Sequence, residues 1–242
     1  MDALIYTAMS GAERALRGQQ VHANNLANLD TPGFRANMEL ATAARLPGYG
    51  YDDRHMAQLQ ANAINDKQGV LRATGRELDV AISGPGYFAV EGPTGEGYTR
   101  AGAITLDADG MMTVNGLPLV GEGGPITLPL HRKVDIGQDG TVSVLGAGTD
   151  AQTQVVGKLK LVRAEASELT KNEAGLLVAR DGQQLPADAT VQVQAGHLEG
   201  SNVSAIEEMV ATMSLNRTFE IQMKLYKAAD AMTESGNRLL GG

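Results

Sequence analysis

Both ends of this chain carry apolar residues at the spacing of packed helices, whereas the middle of the chain does not. Near the N-terminus these positions follow each other by alternating steps of four and three: Ile5, Met9, Ala12, Leu16, Ala23 and Leu26, with the polar Gln19 in the same series. This spacing keeps one face of a helix turned toward a partner helix. It predicts a helix over residues 2–28 that cannot bury its apolar face alone.

A second helix is predicted over residues 203–239. Its apolar residues form one run and, after a shift of the stripe, another: Val203, Ile206, Val210 and Met213, then Leu215, Phe219, Met223 and Tyr226. A shift of this kind unwinds a supercoil locally. The periodicity fits an antiparallel hairpin within one chain, and it also fits helices that pair with neighbouring chains. The charges along this helix fit either a solvated face or a role in choosing neighbours.

The middle of the chain has the signs of β structure joined by tight turns. Asp109-Gly110, Asn115-Gly116 and Asp139-Gly140 separate short apolar runs, and Asp181-Gly182 follows another. Such pairs supply the positive φ angles that hairpin turns require. Strands are predicted at 103–106, 111–114, 117–120, 133–136, 141–144, 155–162 and 176–179.

The predicted fold class is therefore α+β, with terminal helices that pair as a coiled coil and a central, mostly antiparallel β domain. The boundaries are expected at 1–30 for the N-terminal helix, 31–74 for an extended linker, 75–185 for the β-rich outer domain, 186–202 for a return linker and 203–242 for the C-terminal helix. Tyr49 and Tyr51 in the first linker are expected to cover local apolar surface, with contact to a neighbouring subunit as the alternative.

Composition excludes several classes of protein. The formal net charge is −8 and no run of five basic residues occurs, which argues against a nucleic-acid surface. The absence of cysteine removes disulfides, thiolate metal sites and cysteine nucleophiles. Asp2 lies at the front of a short apolar run, so no cleavable signal peptide is predicted. No stretch reaches the roughly 18 apolar residues of a membrane span, so no membrane insertion is expected.

Catalytic, cofactor and metal sites are not predicted. His22, His55, His131 and His197 share no metal-ligand spacing. The segment Asp107–Gly110 resembles the start of a calcium loop, but Met111 occupies the next ligand position, which favours a turn. The Gly84-Pro85-Gly86 sequence lacks the residues that a phosphate-binding loop needs.

A twelve-residue segment after the first helix carries a family resemblance. Residues 23–34 read Ala-Asn-Asn-Leu-Ala-Asn-Leu-Asp-Thr-Pro-Gly-Phe, and the residues that match are Asn24, Asn25, Leu26, Ala27, Asn28, Thr31, Gly33 and Phe34. This segment resembles the rod motif of the bacterial flagellar axial proteins, the family of rod, hook and hook-associated proteins. Pro32 stands where many members carry another residue.

Further segments extend the resemblance to about half the chain. Residues 75–90 and 98–102 are similar to the stretch that opens the outer β domain in that family, and residues 198–203 and 216–220 to its C-terminal part. The opening residues 1–9 resemble the proximal rod members more than the distal ones.

The resemblance implies a non-enzymatic structural subunit of the proximal rod, the axial drive shaft of bacterial motility. Its implied partners are other rod subunits, copies of itself and the flagellar type III export apparatus, with assembly in the periplasm and no cleaved signal. The residues expected to pack between subunits are the helix stripes named above. A distal rod or hook subunit remains an alternative, as does a periplasmic glycan-binding or wall-remodelling protein.

Overall fold

The computed structural model describes residues 2–45, 55–147, 152–172 and 174–240. It divides the chain into two compact units. The helical unit comprises the described parts of 1–27, 37–62 and 204–242. The β unit comprises the described parts of 28–36 and 63–203.

The helical unit contains two long helices and a two-stranded sheet. Its elements are α1 (Asp2–Ala27), β1 (Asn37–Arg45), β2 (His55–Ile64) and α2 (Ala205–Leu240), with β1 paired to β2. Ser204 precedes α2, and its carbonyl oxygen accepts the first helical hydrogen bond from the Glu208 N–H at 3.0 Å. Glu207 and Glu208 in the first turn and Arg238 in the last turn complement the helix dipole.

The β unit is built from short strands. They are β3 (Leu71–Ala73), β4 (Val80–Ser83), β5 (Tyr87–Gly92), β6 (Gly95–Thr99), β7 (Ile104–Leu106), β8 (Met112–Val114), β9 (Leu117–Pro118), β10 (Val120–Gly121), β11 (Gly124–Pro125), β12 (His131–Ile136), β13 (Thr141–Gly146), β14 (Thr153–Lys158), β15 (Leu161–Val162), β16 (Leu169–Lys171), β17 (Leu177–Ala179), β18 (Gln192–Ala195) and β19 (His197–Glu199).

These strands pair antiparallel in several small sheets. The largest has the order β15-β5-β6-β17-β16, and two three-stranded sheets have the orders β12-β13-β14 and β7-β8-β9. The strands β10 and β11 form a pair, as do β4 with β18 and β3 with β19.

Strand β5 lies between two apolar cores. Phe88 and Val90 belong to the larger core, which also takes in Ile104 and Met112. The alternate residues Tyr87 and Ala89 belong to a smaller one. Successive residues of a strand face opposite sides, so one buried strand joins both cores.

The structure confirms the α+β class and the predicted turns. Asn115 and Gly116 both have positive φ angles, 52° and 79°, as the two central residues of a type I′ turn require. The predicted strands match β7, β8, β9, β10, β12, β13, β14, β15 and β17, although residues 117–120 and 155–162 each divide into two strands. Long runs break where the chain passes from one sheet to another, which a pattern of apolar residues does not encode.

The boundaries differ from those expected. The predicted linker 31–74 contains β1, β2 and β3, and the predicted return linker 186–202 contains β18 and β19. Those two late strands pair with β4 and β3, so they are integral to the β unit. In β18 the buried Val193 lies between two exposed glutamines, and in β19 the buried residue is the charged Glu199, so neither strand presents a run of apolar residues. The segment 46–54, including Tyr49 and Tyr51, lies outside the described residues.

Candidate assembly surface on the terminal helices

The two helices of the helical unit meet along a face of small residues on α1. Ala8, Ala12 and Ala15 are buried there. Gly11 belongs to the same face, because a Cβ atom at this position would lie 2.9 Å from the Gln222 side chain. The absence of a side chain at Gly11 thus permits close approach of α2.

The face of α2 that is turned inward follows an unbroken heptad. Its half-buried residues recur by steps of four and three and are Glu208, Thr212, Leu215, Phe219 and Gln222. Ala229, seven residues after Gln222, is buried to 2% exposure. The face therefore has no shift of register, in contrast to the predicted stripe.

Polar side chains fix the register between the two helices, which run antiparallel. Gln19 Nε2 donates to Asn216 Oδ1 at 2.8 Å. Nearer the C-terminal end of α1, His22 Nδ1 contacts Glu208 Oε2. Asn25 Nδ2 donates to the other oxygen of that carboxylate at 3.1 Å.

The predicted stripe of α1 is split between the inside and the outside of the helical pair. Ala12 is buried, and Ile5, Gln19 and Leu26 are half-buried. The intervening residues Met9, Leu16 and Ala23 are exposed, the first two to 57% and 45%. We call Met9, Leu16 and Ala23 the α1 stripe.

The predicted stripe of α2 combines two different faces. Leu215 and Phe219 face inward, whereas Met223 and Tyr226 lie at its margin, each 36% exposed. Four residues of the first three turns form an exposed outer patch: Ile206 (76%), Met209 (52%), Val210 (61%) and Met213 (62%). The predicted stripe joined the exposed outer patch to the inward face of α2 as if they were one face, which explains its apparent shift between Met213 and Leu215. Val203 is half-buried and belongs to the β unit.

Asn25 of the family motif is a buried junction within the helical unit. It is 1% exposed. Its Oδ1 accepts the Asn37 N–H at 2.8 Å, and its Nδ2 donates to the Asn37 carbonyl oxygen at 3.0 Å as well as to Glu208. One amide thus joins α1 to the start of β1 and to α2. Asn24 is exposed, and its Oδ1 accepts from the Asn37 side chain at 2.9 Å.

The end of the motif belongs to the β unit. Thr31 Oγ1 donates to Asn28 Oδ1 at 3.2 Å. Gly33 has a φ of 69°, and its N–H donates to the Glu199 carbonyl oxygen at 2.8 Å. A Cβ atom at Gly33 would lie 2.2 Å from the Ala101 backbone nitrogen, so a larger residue does not fit. The remaining motif residues Leu26 and Ala27 are half-buried and exposed, respectively.

A buried ion cluster of Arg35, Arg100 and Glu199 lies beside the motif in the β unit. The side chains are only 1–3% exposed. Glu199 Oε1 is 3.0 Å from Arg35 Nη2, and Glu199 Oε2 is 3.3 Å from Arg100 Nη1. Burial lowers the pKa of Arg100, and the Glu199 carboxylate opposes that shift. The sequence contains these residues within or next to the resembling segments, but nothing in the pattern indicated that they meet.

Phe34 of the motif lies against a half-buried lysine. Lys171 Nζ is 3.9 Å from the centroid of the Phe34 ring and donates to the Arg35 carbonyl oxygen at 2.6 Å. Burial lowers the pKa of Lys171 to about 8. The contact is a cation–π interaction that holds the motif on β16.

The Asp107 segment that resembles the start of a calcium loop forms a hydrogen-bonded turn. Asp107 Oδ1 accepts the N–H groups of Asp109 and Met111 at 3.0 and 2.8 Å, which confirms the predicted turn. Within the described ranges, no group of three or more acidic or histidine side chains is arranged to hold a metal ion. None of the described helices combines the length and apolarity that crossing a membrane requires.

Three family profiles match successive parts of the chain. Residues 5–35 match the flagella basal body rod protein family, and residues 81–144 match the D1 domain of the flagellar hook proteins FlgE/F/G. Residues 194–239 match the C-terminal domain of the flagellar basal body rod proteins FlgEFG. The matched segments cover α1 with the motif, much of the β unit, and α2.

Curated relatives match over their full length. The flagellar basal-body rod proteins FlgF of Escherichia coli K12 and of Salmonella typhimurium LT2 are each 40% identical over 248 residues, spanning 99% of both chains. The rod protein FlgG of Buchnera aphidicola subsp. Schizaphis graminum is 29% identical over 261 residues, spanning 97% of this chain and 98% of its own. The chain therefore belongs to the flagellar basal-body rod proteins and is similar to FlgF from end to end.

Proposed function

We propose that this chain, a structural subunit of the flagellar basal-body rod, builds the proximal rod by packing its terminal helices against those of neighbouring subunits. The observation that carries the proposal is the outer patch on α2. Ile206, Met209, Val210 and Met213 are more than half exposed while the opposite face of the same helix already packs on α1. A cluster of exposed apolar side chains on a helix whose opposite face is already packed is typical of a protein interface.

In the assembled rod, the helices of adjacent subunits pack as a coiled coil around the axis. The α1 stripe and the outer patch lie on different helices, so the contact between subunits is heterologous and extends into a helical array. Torque is transmitted through many such contacts, each of modest strength. Catalysis has no part in this function.

The partners follow from the same proposal. The subunit assembles with other rod proteins and with copies of itself, after passage through the flagellar type III export apparatus without cleavage of a signal peptide. Its final location is the part of the basal body that crosses the periplasm. Family membership favours a rod subunit over the hook and wall-remodelling alternatives.

A matched pair of substitutions tests the interface. Met213→Asp places a carboxylate in the outer patch, and Ser214→Asp places the same group one residue further along, about 100° around the helix. We expect Met213→Asp to be lost from purified basal bodies and to abolish swimming, whereas Ser214→Asp behaves like the wild type. Normal incorporation of Met213→Asp would refute the packing of this patch.

A further inference from the structure

The exposed sides of the two terminal helices share the same spacing of residues in addition to their apolar character. On α1, five exposed residues recur by steps of four and three: Met9, Glu13, Leu16, Gln20 and Ala23. On α2, five exposed residues do the same: Ile206, Val210, Met213, Arg217 and Glu220. Both series lie outside the face through which the two helices of one chain meet.

We infer that α1 of one copy docks antiparallel on the outer side of α2 of a second copy, with Leu16 against Met213 and Glu13 against Arg217. This inference rests on the proposed function and names the partner of the same surface. In this register Gln20 lies opposite Val210, and the small Ala23 lies opposite Ile206. The two heptads remain aligned over four helical turns because they share one spacing.

Charge selects this register among the alternatives. Glu13 is the one carboxylate in the α1 series, and Arg217 is the one cation in the α2 series. Shifting the helices by one heptad would leave Arg217 opposite an uncharged residue of α1. Glu13 already pairs with Arg17 at 2.5 Å, but both side chains are more than half exposed. An exposed pair of this kind stabilises a helix weakly, so Glu13 can exchange its partner on assembly.

The register also defines how the copies are arranged. Within one chain, Gly11 lies opposite Gln222 and Asn25 opposite Glu208. Pairing Leu16 with Met213 of a second copy displaces the neighbouring helix by four residues relative to the pairing within one chain, which is roughly 6 Å or about one helical turn. Copies therefore lie side by side. Because each copy presents an α1 series and an α2 series on different helices, a third copy can join the second in the same way.

Cross-linking between two marked chains tests the contact, and the chain has no native cysteine to interfere. Leu16→Cys and Met213→Cys are made in separate, differently tagged full-length chains that are produced in the same cells. Basal bodies are then purified and mildly oxidised. A disulfide requires Cα atoms within about 7 Å. We expect a mixed dimer of both tags at twice the 25.3 kDa chain mass. Replacing Met213→Cys by Ser214→Cys should lower its yield roughly tenfold, because that side chain points about 100° away.

Charge reversal gives an independent test that does not depend on the cysteines. Glu13→Arg or Arg217→Glu alone should lower the amount of the chain in basal bodies roughly tenfold, and the double variant should restore it. Dimers that join two copies of one tag, a cross-link to a different protein, or failure of the double variant to restore incorporation would each overturn the inferred contact. Absence of the wild-type chain from basal bodies would instead refute the proposed function.

Discussion

Replacing Glu199 by glutamine should destabilise the β unit far more than any exposed ion pair does. The carboxylate is 1% exposed and is the shared partner of Arg35 and Arg100. Its Oε1 also accepts the Gly69 N–H at 3.0 Å. Both guanidinium groups also donate to backbone carbonyl oxygens, Arg35 to Asp66 and Lys67, and Arg100 to Ile82 and Gly84. Those acceptors are neutral, so Glu199 is the group that balances the two buried positive charges.

The magnitude follows from the charges left behind. Glu199→Gln keeps the size of the side chain and removes the negative charge, which leaves two buried cations side by side. Breaking a buried ion pair by removing one partner costs about 3–5 kcal/mol. The amide of the substituted side chain retains one acceptor oxygen for Gly69 or an arginine, so we expect a loss of about 3 kcal/mol in the free energy of unfolding, at the lower end of that range.

Urea unfolding of the full-length chain, followed by circular dichroism, measures this loss. The control is Glu122→Gln, which removes the partner of Lys158 from an exposed pair at 2.9 Å. Exposed pairs contribute about 0–1 kcal/mol, so the control should unfold almost as the wild type does. If Glu199→Gln costs no more than Glu122→Gln, the buried ion cluster does not stabilise the β unit.

Three further predictions concern the motif and the helices. Asn25→Ala removes three hydrogen bonds at a site that is 1% exposed and should cost about 2–3 kcal/mol in thermal unfolding, whereas Asn24→Ala, which is exposed, should cost under about 1 kcal/mol. Burial lowers the pKa of Lys171 from 10.5 to about 8, so between these pH values the unfolded chain binds more protons than the folded chain. The free energy of unfolding of the wild type should therefore rise by about 1–2 kcal/mol relative to that of Lys171→Met between pH 8 and pH 10. A difference between the two proteins that does not change with pH would contradict the burial of this lysine. Amide hydrogen exchange in the dilute monomer should be faster for residues 2–27 than for residues 80–90, because α1 buries mainly alanine and glycine against α2. Equal protection of the two segments would argue against terminal helices that become fully stable only on assembly.

The sequence predicts elements well where a local rule applies. The heptads located both helices to within two residues at each end, and the Asp-Gly and Asn-Gly pairs located the turns because they supply positive φ angles. Strands β18 and β19 were missed because their stability comes from pairing with β4 and β3, more than a hundred residues away in the chain. Pairing at that distance leaves no local signal.

The candidate surface was predicted only in part for a related reason. Periodicity identified apolar positions without saying which neighbour each one faces. Ala8, Gly11 and Ala15 lie on the small-residue face that packs on α2, but the predicted stripe took only Ala12 from that face. Met9 and Met213, which were counted, lie outside the pair. The buried ion cluster escaped prediction because Arg35, Arg100 and Glu199 are brought together only by the folded β unit.

Mass spectrometry of detergent-resistant basal bodies from the source organism tests most directly whether this chain is a proximal rod subunit. Labelled peptides of this chain and of known rod subunits would give their ratio. We expect this chain at a fixed ratio of a few copies per basal body. A much larger number would place it in the distal rod or hook, and its absence would contradict a role in the rod.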